Sequence, residues 1–204
     1  MAYKVGIIPA AGKAQRFGGT LKELLPLPDG RSFLRAAVHR LPVDLVVIVT
    51  NKEKIQEHAR EIGGDAVYMV QRGDDIMGAI MTALDVRADR YYFTMPDTVT
   101  DTDNIPDAHF CMGYFMTDKP ERFGCIVNGH VINKAAEVIT PAHAWGTLTF
   151  DALVADLWRE RQPQDYTTAI NMAIHEFGYV LHPLNYYNDN ASIQDYLELM
   201  RSHD

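Results

Sequence analysis

The sequence predicts an α/β fold, a mostly parallel sheet with helices on both faces. Three observations support it. Short apolar runs alternate with helical patterns through the first half of the chain. One run, Asp44–Thr50 (DLVVIVT), is continuously apolar and β-branched, as in a strand buried on both faces. The loops carrying the Gly-rich segment and the candidate carboxylates follow the ends of these runs, where open parallel sheets bind ligands.

Taken in order, Val5–Pro9 reads as a strand and leads into a Gly-rich loop. Arg31–Arg40 carries apolar residues at helical spacing, and Asp44–Thr50 is the buried strand. Lys52–Ile62 reads as a charged helix, Ala66–Val70 as a strand and Ile76–Leu84 as an apolar helix. Tyr91–Met95 is a strand that ends at Pro96-Asp97. The second half is less regular. Phe110–Met116 and Phe123–Val127 read as strands, and Asn128-Gly129 is a hairpin-turn signal leading into Val131–Asn133. Leu148–Arg161 and Tyr166–Phe177 read as helices, the second closed by Gly178. Tyr179–Leu181 is a strand, and Ile193–Met200 a final helix with Ser192 as N-cap. There is no repeat, low-complexity segment or linker, so residues 1–204 read as one domain.

Composition narrows the function. A formal net charge of -8 gives no electrostatic basis for general binding to nucleic acid or an anionic membrane. A phosphorylated small molecule stays compatible, because a few Lys, Arg and backbone N–H groups hold one locally. Cys111 and Cys125 are the only cysteines, too few for a disulfide framework or a Cys-based zinc site, which fits a reducing cytoplasm. The N-terminal apolar run is too short for a signal peptide and reads as a strand. No stretch approaches the apolar length of a membrane span. The eight histidines show no H-x-x-x-H or H-E-x-x-H spacing, and no G-x-S-x-G nucleophile elbow occurs.

The most informative segment is GIIPAAGKAQRFGGTLKELLPL. A strand runs into Ala10-Ala11-Gly12, whose minimal side chains let backbone N–H groups approach a triphosphate. Arg16 and Lys22 follow, a fork-shaped and a point-like cation for phosphate oxygens. The spacing is neither that of a Walker A loop nor of the dinucleotide G-x-G-x-x-G fingerprint. The segment resembles the opening of the nucleotidyltransferases of the nucleotide-diphospho-sugar transferase superfamily: a strand, a small-residue loop, G-x-G-x-R, then a Lys before Leu-Leu-Pro-Leu. Gly12, Arg16 and Lys22–Leu27 stand in those places; the second Gly is replaced by Ala14, followed by Gln15. The short Arg16-to-Lys22 loop is shared with cytidylyltransferase-like and molybdenum-cofactor-type members.

The resemblance implies a Rossmann-like three-layer sandwich with a mixed, mainly parallel central sheet. It also implies a Mg²⁺-dependent transfer of a nucleoside monophosphate from a nucleoside triphosphate to a phosphorylated acceptor. Gln71 stands where relatives read the nucleobase, and its amide offers a donor and an acceptor together; an ordinary loop role is the alternative. Asp97 stands in the place of the Asp that ligates Mg²⁺, a hard cation suited to carboxylate oxygens. As alternatives it is a turn or N-cap residue, with Asp101 and Asp103 nearby. Tyr187–Tyr196 resembles the family's W-x-D-I-G-T-P-E-D-Y, which makes Asp189 the second metal ligand, unless Asn188 and Asn190 mark a plain surface turn. On the same register Asp195 is first-turn helix charge. Lys134 matches the Lys of Glu-Lys-Pro that holds the sugar phosphate, while Asn133 and Ala135 replace its neighbours. Trp145, in the stretch that resembles the family's strand beside the sugar, suits stacking on a sugar face and equally a place in the core. The acceptor implied is a sugar 1-phosphate, with a phosphorylated alcohol or pterin-type phosphate as alternatives. A non-catalytic nucleotide-binding relative is the reading that Ala14 and Asn133 favour.

Overall fold

The computed structural model describes residues 2–12, 18–102, 104–134, 140–190 and 192–201. The first half alternates as expected: β1 (Lys4–Pro9), α1 (Phe33–Arg40), β2 (Leu45–Thr50), α2 (Ile55–Ile62), β3 (Val67–Val70), α3 (Ile76–Ala83) and β4 (Arg90–Phe93). The second half contains β5 (Thr98–Thr100), β6 (Phe110–Thr117), β7 (Gly124–Val127), β8 (His130–Asn133) and β9 (Ala142–Asp151). It closes with α4 (Ala152–Arg161), α5 (Tyr166–Phe177), β10 (Val180–Pro183), β11 (Tyr187–Asp189) and α6 (Ile193–Arg201).

The central sheet has the order β10-β6-β9-β4-β1-β2-β3, with the β7–β8 hairpin paired to β9. Strands β3, β2, β1 and β4 are parallel, β9 runs against β4 and β6, and β10 is parallel to β6. The sheet is therefore mixed and mainly parallel, as the resemblance implies. Alternation along β2 divides its side chains between two cores. Val47 and Val49 pack with Met77 and Ile80 of α3, Trp158 of α4 and Ile170 of α5. Val46 and Ile48 pack with Leu34 and Val38 of α1 and Ile62 of α2. Both faces are covered, so the β-branched run cannot alternate with polar residues, and three layers result. Burying each such side chain contributes on the order of 1.5–3 kcal/mol.

Local signals explain most element ends. Ser32 caps α1 by accepting from the Arg35 N–H, and Asp75 caps α3 by accepting from the Gly78 N–H. Asn128 and Gly129 both take positive φ, 49° and 80°, as a tight hairpin between β7 and β8 requires. Two expectations need correction. Leu148–Asp151 is strand, not helix: Leu148 and Phe150 are buried members of one core, and β-branched Thr147 and Thr149 continue β9. The helix starts only where Asp151 accepts from the Leu153 and Val154 N–H groups. The other correction is the β5–β11 pair, a two-stranded antiparallel ladder of three residues per strand in segments that carry no strand signal of their own. Among the described residues, no helix is long and apolar enough to cross a membrane.

Candidate active site

The small-residue loop leaves the carboxyl end of β1 at the centre of the sheet. Its carbonyls are tied inward from the β2–α2 connection. Asn51 Nδ2 donates to the Ala11 carbonyl at 3.2 Å, while Lys54 Nζ donates to the Ala10 carbonyl at 3.4 Å and to the Gly12 carbonyl. In a trans peptide the next N–H points opposite to the carbonyl, so the Ala11 N–H faces away from Lys54 and the Gly12 N–H faces away from the Asn51 amide. A Cβ built on Gly12 would meet nothing within 4 Å, which leaves open space beside the loop. Ala10 itself is a strand extension, 2% exposed, with its N–H given to Val49. Arg16, with Ala14 and Gln15, lies outside the described residues, as does Asp103.

The 3₁₀ turn Lys22–Leu24 sends adjacent side chains to opposite sides. Lys22 forms an ion pair with Asp97. Glu23, 3% exposed, accepts from Lys54 Nζ at 3.0 Å and lies 3.0 Å from His58 Nε2, a fully buried histidine. Burial by itself would raise the Glu23 carboxyl; the His58 and backbone hydrogen bonds and the Lys54 charge outweigh it and hold the group below its ordinary range. Sequence reasoning missed Asn51, Lys54 and His58. Only the parallel pairing of β1 with β2 brings the segment after β2 under the loop.

Asp97 and Asp189 converge through the β5–β11 ladder. Thr98, next to Asp97, is the register partner of Asp189. Asn190, 2% exposed, donates from Nδ2 to the Asp97 carbonyl at 3.3 Å and closes the end of the ladder. Asp97 is 3% exposed, whereas Asp101 is committed elsewhere, accepting from the backbone N–H and side-chain amide of Asn185. The Asp189 carboxyl is pushed up, first by burial and then by the Asp97 charge, against the lowering effects of Arg122 and Lys22. Arg122, which sequence reasoning also missed, donates from Nη2 to Asp189 at 3.0 Å and to Asp195 at 3.4 Å. Asp195 is thus more than first-turn charge, although Ser192 also caps α6 through the Asp195 N–H.

Lys22, Asp97, Asp189, Lys134 and Trp145 line one cleft of about 410 Å³. Lys134 sits at its rim in a left-handed conformation with φ 50°, fixed by its N–H to the Phe123 carbonyl. Asn133, in place of the family's Glu, accepts from the Tyr166 hydroxyl. Trp145 is 7% exposed and packs beside Phe93 and Tyr166 within the core, so it walls the cleft and leaves little face for a sugar to stack on. Tyr187, where relatives carry Trp, stacks on Phe115 with ring centroids 3.8 Å apart. Gly146 makes room for that ring, since a Cβ there would stand 2.4 Å from Tyr187 Cε2.

Gln71 and the Ala10–Gly12 loop do not line this cleft. They lie toward the neighbouring strand ends, with the Gln71 N–H bonded to the Thr50 carbonyl. The Gln71 amide nitrogen donates to the Gly73 and Asp75 carbonyls at 3.0 and 2.9 Å. Both amide hydrogens are engaged, so only its oxygen is left to meet a base, not the donor–acceptor pair expected.

Residues 6–106, which hold the loop, Gln71 and Asp97, match the family model of the MobA-like NTP transferase domain. Over this stretch, just under half of the chain, the sequence is similar to that family. The match agrees with the resemblance of the phosphate loop to the nucleotidyltransferases of the nucleotide-diphospho-sugar transferase superfamily. The fold of the chain is shared with a structure described as a putative glucose-1-phosphate thymidylyltransferase from Bacillus anthracis in complex with sucrose. That match has a TM-score of 0.85 at 20% identity and covers 98% of this chain and 95% of the other. A UDP-glucose pyrophosphorylase complexed with UDP-glucose matches with a TM-score of 0.79 at 16% identity, covering 100% and 98%. The inositol-1-phosphate CTP transferase from T. maritima matches with a TM-score of 0.73 at 12% identity, covering 100% and 97%. No curated protein matches this chain by sequence. At these identities the three structural likenesses are likenesses of fold.

Proposed function

We propose that residues 1–204 form one nucleotidyltransferase domain that transfers a nucleoside monophosphate from a nucleoside triphosphate to a sugar 1-phosphate, releasing pyrophosphate. The observation that carries this reading is the meeting of Asp97, Asp189, Lys22 and Lys134 in one cleft, beside a small-residue loop with inward carbonyls. An acceptor phosphate oxygen attacks the α-phosphorus, the bond from the α-phosphorus to the bridging oxygen breaks, and pyrophosphate leaves. The attacking phosphate is already ionised, so no protein nucleophile is needed, and catalysis comes from positioning and charge neutralisation.

Roles follow from position. The Ala11 and Gly12 N–H groups would receive triphosphate oxygens, with Arg16 stabilising the transferring and leaving phosphates. Lys22 would offset charge at the α-phosphate and Lys134 would hold the acceptor phosphate, while Trp145 shapes the acceptor wall. The Gln71 oxygen would meet the base. Asp189, whose ionisation is disfavoured by burial and by the Asp97 charge, forms with Asp97 a pair of hard oxygen donors that fits Mg²⁺. Asp97 and Asp189 would hold the ion, which when bound neutralises and orients phosphate oxygens. Nucleotide-sugar formation belongs to the cytoplasm, consistent with the acidic, cysteine-poor chain.

A phosphorylated alcohol such as a cyclitol phosphate is the second reading. It is favoured by Asn133, whose side-chain oxygen is taken by Tyr166 where relatives present a Glu to the sugar. Pyrophosphate release with Mg²⁺, each of the common triphosphates, and a panel of sugar 1-phosphates, inositol 1-phosphate and free alcohols tests both. The expected result is release only when a phosphorylated acceptor is present. Release independent of any acceptor contradicts transfer.

A further inference from the structure

We infer that Arg122 is a two-position cation: it neutralises Asp189 when no metal is bound, and it holds the acceptor phosphate when a divalent ion takes Asp189 from it. The inference rests on the transferase reading above and adds a residue that the phosphate-loop and Lys134 motifs do not include.

Arg122 closes the 3₁₀ turn Pro120–Arg122 that precedes β7, and its guanidinium enters the cleft that Lys134 rims from the far end of the hairpin. There it bonds Asp189 at 3.0 Å and Asp195 at 3.4 Å through one nitrogen, Nη2. The two partners differ in kind. Asp189 lines the cleft together with Asp97, while Asp195 stands outside it, held by Ser192 Oγ at 2.7 Å. A divalent cation shared by Asp97 and Asp189 competes directly with Arg122 for the same carboxylate. Asp195 does not face that competition and keeps the guanidinium at the rim. A guanidinium so released is a fork matched to two phosphate oxygens, on a side chain only 28% exposed.

Charge supports the same conclusion. Asp97, Glu121 and Asp189 line the cleft against Lys22, Arg122 and Lys134, so its described lining is balanced. A balanced cleft has little attraction for a dianion. A bound divalent ion leaves an excess of two positive charges, the match for a phosphate monoester and not for a neutral alcohol. Metal entry therefore both frees Arg122 and makes the cleft attractive to its ligand. In these terms Arg122 is a phosphate-binding residue and Asp195 is a positioning residue acting through it.

Arg122→Ala separates the two halves because they move in opposite directions. Manganese binding to the protein alone, measured from free Mn²⁺ by electron paramagnetic resonance, should become several-fold tighter in R122A, since the competing cation is gone. With glucose 1-phosphate as probe, its KM should rise roughly tenfold or more while the triphosphate KM stays within about twofold. Arg122→Lys should fold as the wild type does and fall between the two. Asp195→Asn should raise the glucose 1-phosphate KM with a smaller effect on Mn²⁺. Unchanged or weaker Mn²⁺ binding in both R122A and R122K overturns the inference, and so does an unchanged acceptor KM. If the wild type transfers to no acceptor, glucose 1-phosphate binding is read by calorimetry with Mn²⁺ present. Tighter Mn²⁺ and lost phosphate binding in R122A then uphold the inference while the transfer reading fails.

Discussion

At the scale of single residues, neighbours in sequence do opposite jobs. Lys22 faces the cleft and Asp97, while Glu23 faces the interior, where Lys54 and His58 hold it ionised. Asp189 is in the reverse position, carrying a charge its surroundings disfavour. Its folded pKa lies above the unfolded value of 3.8, so its contribution to stability is fully present below that value and lost as pH rises through the folded pKa. Glu23 and Asp195 are shifted down and act in the opposite sense, so the informative quantity is the difference between wild type and Asp189→Asn. In metal-free buffer the wild type should lose stability relative to D189N as pH climbs through the mildly acid range, leaving D189N with the higher melting temperature at neutral pH. Thermal denaturation followed by circular dichroism at several pH values, with chelator, reads this. A difference that grows in favour of the wild type would mean that Arg122 and Lys22 outweigh burial and Asp97.

At the scale of elements, the short β5–β11 ladder sets the site, and the glycine opposite it sets the ladder. Gly146 on β9 lies beneath the Tyr187 ring, with an added Cβ 2.4 Å from Cε2 and 3.0 Å from Leu184 Cδ1. Gly146→Ala must push Tyr187, and with it β11 and Asp189 two residues on. Overpacking of this kind costs on the order of 1–3 kcal/mol. The expected outcome is a moderate drop in melting temperature with a disproportionate loss of Mg²⁺-dependent turnover; full turnover in a destabilised protein would detach the ladder from the chemistry. Legibility in the sequence followed the same division. Long runs such as Leu45–Thr50 and capped helices such as α5 declare themselves, because burial and capping are local. Three-residue strands do not, since β5 and β11 exist only through pairing across the chain. The Leu148–Asp151 strand read as helix because its buried leucine and phenylalanine fit both periods until Asp151 supplies a cap.

At the scale of the whole molecule, a mixed, mainly parallel central sheet brings residues from the first and last parts of the chain to one edge. Asp97 was legible as the carboxylate just past a strand, and Asp189 only through a resemblance, since no local rule joins positions 92 residues apart. Lys54, His58 and Arg122 were illegible because each acts through a contact that the fold creates. On the proposed function, Asp97 and Asp189 together would hold the metal for acceptor-dependent transfer. The deciding measurement is pyrophosphate release by wild type, Asp97→Asn and Asp189→Asn across a Mg²⁺ series, with and without glucose 1-phosphate or inositol 1-phosphate. Each substitution should lower acceptor-dependent release by about two powers of ten or more, each power corresponding to about 1.4 kcal/mol, while the melting temperature without metal holds or rises. Wild-type levels of acceptor-dependent release in Asp189→Asn, with Asp97→Asn inactive, would contradict a shared metal site and leave Asp97 alone.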